Sequence, residues 1–185
     1  FDLVTSQDGQ LVGRPVNQFV QLACFNKERM ASPPMTLEEM EKESDDNNFG
    51  MALQLKDLFW SAESFDAGEA MEAALSKLPP NTERQANVTN WLRWLEKASY
   101  QQNIRFLNDQ RSLRDALISG ELDWITCWSS SLRDLRQQMQ GKLALAPLPK
   151  GPSTQRKATT KLQVWSLGRN SSRNQREKAL VMIDF

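Results

Sequence analysis

The chain has 185 residues, 23 Lys+Arg balanced by 23 Asp+Glu, and no histidine. That composition excludes serine–histidine and cysteine–histidine catalysis and every histidine-bearing metal site, and zero formal net charge argues against a whole-surface nucleic-acid field. With 39% apolar and 25% charged residues, and no run approaching the ~18 apolar residues of a membrane span, the composition is that of one globular domain over residues 1–185.

Residues 11–25, LVGRPVNQFVQLACF, open on a turn and pass into an apolar run in which Val20, Leu22 and Cys24 alternate with Gln21 and Ala23. That is a strand pattern. Pro33-Pro34 breaks the chain, and Thr36 with Glu39 three residues on forms a capping box at the start of a helix. After a turn at 44–48, FGMALQLKDLFW (49–60) reads as a strand entering a helix. Asp66 caps the next helix, which shows a face of Ala70, Met71, Ala74 and Leu75 and ends at Leu78-Pro79-Pro80. Val88, Trp91, Leu92, Leu95 and Ala98 recur at helical steps within 87–107, with Ile104 and Phe106 in an extended segment after them. A helix over about 111–119 turns Leu113, Ala116 and Leu117 inward and stops at Gly120. LDWITCW (122–128) is a strand, 130–139 a helix, and KLALAPLP (142–149) extended because Pro147 and Pro149 forbid helix. A polar loop at 150–160, a strand at 162–168 and a final helix within 170–185 complete the series. Alternation of strands and helices predicts an α/β fold, a mixed sheet containing 20–25, 122–127 and 162–167 with helices on both faces.

Charge is uneven. Residues 36–77 hold eleven acids against three bases, and 150–178 hold eight bases against one acid, Glu177. The basic stretch reads first as a solvated or docking face and second as an anion- or nucleic-acid-binding surface, because no nucleic-acid-binding motif accompanies it. Cys24 and Cys127 both follow apolar runs, and the expectation is two buried free thiols, although a single bridge is open to them. Phe1 opens the chain as it would in a mature protein or an excised fragment, so the terminus does not give the compartment.

Catalytic signatures are missing. There is no phosphate loop, no dinucleotide-binding glycine motif and no nucleophile elbow, and acid pairs such as Glu38 with Glu41 are what chance supplies. No enzymatic activity, cofactor or metal is expected. Six tryptophans say more. Trp91 and Trp94 lie on a helix and suit core packing, whereas Trp128 and Trp165 fall at strand ends, where α/β proteins gather binding residues. Ser129-Ser130-Ser131 follow Trp128 at a strand-to-helix turn, offering hydroxyls and amides beside an aromatic face. Packing remains an equal alternative for these two tryptophans.

Four stretches in order carry a resemblance. GRPVNQFVQLACFNKERMASPPMTLEEM (13–40) is similar to a "vP" turn, a hinge-crossing strand, "yNk" and "P.T.eE", here Pro15, Phe25-Asn26-Lys27, Pro34-Met35-Thr36 and Glu38-Glu39. LRDALISGELDWITCWSS (113–130), KLALAPLPKGP (142–152) and VWSLGRNSSRNQREKALVMIDF (164–185) look like the later elements of the same pattern. Together they resemble the extracellular solute-binding proteins of ABC importers, a two-lobed, non-enzymatic family. Cys127 and the basic 153–160 loop depart from the pattern.

The resemblance implies one lobe of a periplasmic-binding-protein fold, mainly the second lobe and the hinge strands, with the first lobe missing. It implies a small solute, a sugar or a polyamine, handed to a membrane permease, in the periplasm or outside the cell, with a membrane anchor as an option in the full-length protein. Residue by residue, Asn17, Gln18 and Phe19 before the hinge strand, Trp128 and Ser129 after the later strand, and Trp165 map to the ligand wall. The rival is a protein-interaction domain that keeps the fold without transport. No nucleic acid is expected as a partner.

Overall fold

The computed structural model describes residues 13–75, 81–152, 158–168 and 170–183. The elements are β1 (Arg14–Asn26), α1 (Leu37–Glu43), β2 (Phe49–Ala52), α2 (Leu55–Glu63), α3 (Ala67–Leu75), α4 (Thr82–Ser99) and β3 (Ile104–Leu107). They continue as α5 (Gln110–Ser119), β4 (Trp124–Trp128), a 3-10 turn (Ser129–Ser131), α6 (Leu132–Met139), β5 (Leu143–Ala146), β6 (Thr160–Trp165) and α7 (Arg173–Ile183). The chain divides into a larger unit, Val20–Thr159, and a smaller one made of the residues up to Phe19 and from Thr160 onward.

In the larger unit the strand order is β3-β2-β4-β1-β5. β2 runs parallel to β3 and β4, and β1 is antiparallel to β4 and β5, so the sheet is mixed as its alternating elements predict. Successive strand residues face opposite sides. Ala23, Phe25, Phe49, Met51, Ile104 and Trp124 pack with Leu37 and Met40 of α1, Leu58 and Trp60 of α2, and Trp91 and Trp94 of α4. Cys24, Ala52, Ile125 and Cys127 pack on the other side with Leu113, Ala116 and Leu117 of α5 and Leu135 and Met139 of α6. Both faces are covered, which is why β2 and β4 read as nearly continuous apolar runs.

Local signals place the helix ends. Thr36 caps α1 and Glu39 returns the bond, completing the capping box. Asp109 caps α5 through the Ser112 N–H, and Gly120 closes that helix at φ 80, a left-handed conformation that glycine adopts without steric penalty. Gly50 is required for space. A Cβ there would stand 2.4 Å from Leu122 Cδ1 and 2.7 Å from Leu113 Cδ2.

Three expectations need correction. Cys24 and Cys127 are joined in a disulfide, with Cα atoms 5.8 Å apart. Register explains it: Leu22 pairs with Cys127 and Cys24 with Ile125, so the two sulfurs lie diagonally on one face of adjacent antiparallel strands. Leu92 points outward at 51% exposed, and Trp94 takes the buried position, because the inward stripe of α4 runs through Trp91, Trp94 and Ala98. Asp66 precedes α3 at φ 55 rather than in the extended backbone of an N-cap. The expected stop at 78–80 lies outside the described residues.

In the smaller unit β6 pairs with β1, and α7 follows, with Leu180, Val181 and Met182 exposed. Among the described residues no helix is long and apolar enough to cross a membrane.

Candidate functional site

Parallel strands bring the carboxyl ends of β2, β3 and β4 to one edge of the sheet in the larger unit. From that edge β2 leads into α2, which packs on one face, while β4 leads through the 3-10 turn into α6, which packs on the other. Neighbouring strands whose connections leave to opposite faces open a crevice between their ends, and ligands of open α/β sheets bind in such crevices. Here the crevice lies between the ends of β2 and β4.

Two side chains meet there. Trp128, the last residue of β4, donates its indole N–H to Asp57 Oδ1 at 2.6 Å. Asp57 stands in the first turn of α2, where a negative charge is favoured by the helix N-terminus. It is 1% exposed, and its second oxygen, Oδ2, has no protein partner. Gln21 of β1 donates Nε2 to the Asp57 carbonyl at 2.8 Å, which fixes the amide orientation and leaves Gln21 Oε1 without a partner. A buried acceptor without a partner costs about 1–3 kcal/mol, and a hydrogen-bond donor arriving from outside recovers it. The crevice edge thus holds two buried acceptors without protein partners near the Trp128 ring.

Ser129 has a structural task as well. The β1–β4 ladder ends at Gln21 opposite Trp128, and the next amide of β1, Val20 N–H, donates to Ser129 Oγ at 3.0 Å. The hydroxyl thus continues the ladder by one step past the strand. After β3, the Ser112 backbone N–H and side chain hold the Asp109 carboxyl below the usual carboxylate range. Leu53 and Leu55, exposed at 53% and 57%, rim the end of β2.

The residues expected at a ligand wall divide between the two units. Trp128 and Ser129 are at the crevice edge, Trp128 half-buried. Asn17, Gln18 and Phe19 lie on the first half of β1, and Trp165 ends β6, all in the smaller unit. There Asn17 donates to Gln163 Oε1 at 3.1 Å, and Trp165 is 48% exposed. Asp57 and Gln21 were not foreseen as site residues. One signal could have found Asp57: it is the only acid in the apolar segment 49–60, just after a strand. Trp91 and Trp94, expected to pack in the core or on the helix surface, are core residues at 5% and 7% exposed.

Residues 1–185 match the family model described as bacterial extracellular solute-binding protein. No curated protein matches the chain. Among solved structures, the chain is similar to the GacH receptor of Streptomyces glaucescens GLA.O, known unliganded and in complex with acarbose and an acarbose homolog. The TM-score is 0.77 at 14% identity, over 96% of this chain and 49% of that one. It is also similar to maltose-bound T. maritima MalE3, with a TM-score of 0.76 at 19% identity, over 97% of this chain and 51% of that one. The chain spans about half the length of the structures it matches.

Proposed function

The chain belongs to the bacterial extracellular solute-binding proteins, a family that performs no chemistry on what it binds, and on that footing we propose that it forms one lobe of such a protein. In this reading the 185 residues are the second lobe with the hinge strands. They supply one wall of a solute site, and the other lobe, in the same polypeptide, supplies the rest. The bound solute is handed to a membrane permease of an ABC importer.

One observation carries the assignment of the wall: the Trp128–Asp57 pair sits in the crevice between β2 and β4, with a buried carboxylate oxygen still unpartnered. An aromatic face beside hydrogen-bond acceptors suits a sugar, whose apolar ring face stacks and whose hydroxyls donate. Both solved relatives were determined with sugar-class ligands, acarbose and maltose, which supports the same class for this chain. A polyamine, with ammonium groups for Asp57 and the Trp128 ring, is the second candidate. Trp128 and Ser129 are proposed as wall residues with Asp57 in the larger unit; Asn17, Gln18, Phe19 and Trp165 are proposed as ligand contacts of the smaller unit, taken by itself.

The Cys24–Cys127 disulfide supports a periplasmic or extracellular location, since such bridges persist in oxidising compartments. Thermal denaturation of the whole protein with maltose, acarbose or spermidine tests the function. A ligand at 100 times its Kd stabilises by about 2.7 kcal/mol, which raises Tm by roughly 5–10 °C in a domain of this size. A Tm unmoved by the sugars and the polyamine would count against both solute classes.

A further inference from the structure

The larger unit holds a pocket of about 170 Å³ that neither Trp128 nor Asp57 lines. β1 forms one side with Val20, Gln21 and Leu22, α2 another with Trp60 and Ser64, and the remainder comes from the segments 147–150 and 158–159. Its volume is far beyond the ~10–15 Å³ that one water needs.

Three polar atoms of lining residues have no protein partner: Trp60 Nε1, Gln21 Oε1 and Thr159 Oγ1. Trp60 and Gln21 are 2% and 3% exposed, so solvent does not serve them freely. Their chemistry is defined. An indole N–H can only donate, and Gln21 Oε1 can only accept because Nε2 is committed to the Asp57 carbonyl. Charge adds a sign. The lining contains Lys150 and no Asp or Glu. The backbone of Lys150 is held on both sides, its N–H donating to Met35 O at 3.0 Å and its carbonyl accepting from Leu37 N at 2.9 Å, which fixes its Cα beside the pocket it lines. Asp57 is not among the lining residues, and its Oδ1 accepts from the Trp128 indole.

We propose that this pocket binds a small carboxylate that also carries a hydroxyl or amino donor. The carboxylate accepts from the Trp60 indole N–H and pairs with Lys150, while the hydroxyl or amine donates to Gln21 Oε1; Thr159 serves either end. The site lies within one unit; it shares Gln21 with the crevice edge, and the rest of its lining lies outside the proposed solute wall.

The test is an NMR titration of the 185-residue chain with lactate, following the assigned indole N–H resonances of Trp60 and Trp128. The Trp60 resonance shifts saturably and the Trp128 resonance stays in place. Lactamide, which lacks the charge, binds at least tenfold more weakly, and Lys150→Met weakens lactate by a similar factor while leaving the rest of the spectrum unchanged. Absence of a saturable Trp60 shift, or equal binding of lactate and lactamide, overturns the proposal. So does a shift confined to Trp128, which would leave the solute-wall reading standing and remove this site.

Discussion

Replacing Cys24 and Cys127 together by alanine removes a cross-link between residues 103 apart in sequence. In the chain-entropy account the loop restricts the unfolded ensemble by about 2.1 + 1.5R ln n cal/mol/K, which for this loop is about 4.7 kcal/mol at 25 °C. Measured bridges typically contribute 2–4 kcal/mol. Both residues are 0% exposed, so truncation also leaves small voids beneath α5 and α6 and adds to the loss. The expected destabilisation is therefore about 3–5 kcal/mol, a large share of the 5–15 kcal/mol of an ordinary domain. Urea unfolding of the variant and the wild type, both without reductant, measures it, and the slope should rise because the uncrossed chain exposes more surface. A difference below about 1 kcal/mol would refute the entropic reasoning. Two free thiols on the denatured, unreduced wild type would refute the bridge itself.

Other consequences are open to direct measurement. Gly50→Ala forces a Cβ into Leu122 and Leu113 and should destabilise the chain by about 1–3 kcal/mol in a urea melt; a neutral result would show that those side chains yield freely. Trp128→Phe keeps an aromatic ring but leaves the buried Asp57 carboxylate without its donor, and should reduce stability by about 1–3 kcal/mol. In the double variant Trp128→Phe/Asp57→Leu most of that loss should return, and an additive loss instead would argue against the pairing. Because the folded-state pKa of Asp109 is depressed by its cap bonds, its contribution is present above the unfolded value and lost as pH falls through the lower folded value. The stability difference between wild type and Asp109→Asn should therefore shrink on the acid side of the carboxylate range, and a difference that grows there would contradict the cap.

Much of this fold is legible without coordinates because local chemistry decides it. Thr36 with Glu39, Gly120, and the stripe of Leu113, Ala116 and Leu117 each act within a few residues of chain, and each appears as its spacing requires. What depends on register was not legible. The Cys24–Cys127 bridge exists only because β1 and β4 are neighbours with Leu22 opposite Cys127, and a separation of 103 residues carries no trace of that pairing. Leu92 fits a helical stripe as well as Trp94 does, and the packing of Trp94 against Trp60, centroids 6.3 Å apart, decides between them. The crevice follows the same division. Trp128 and Ser129 stand out as aromatic and hydroxyl groups at a strand end, whereas Asp57 and Gln21 become site residues only when three strands align their ends.

Native mass spectrometry of the whole protein, purified from its source, shows whether it carries a solute. A small molecule is expected bound in the native state and released on unfolding. Trp165→Ala, at a surface tryptophan whose loss should leave folding intact, should weaken that binding by roughly 30-fold if it is an anchor, equivalent to about 2 kcal/mol. Trp128→Phe, which removes the donor to Asp57, should weaken it as well. A native complex whose small molecule is held equally well by the wild type and both variants would contradict the assignment of Trp128 and of Trp165 as ligand contacts.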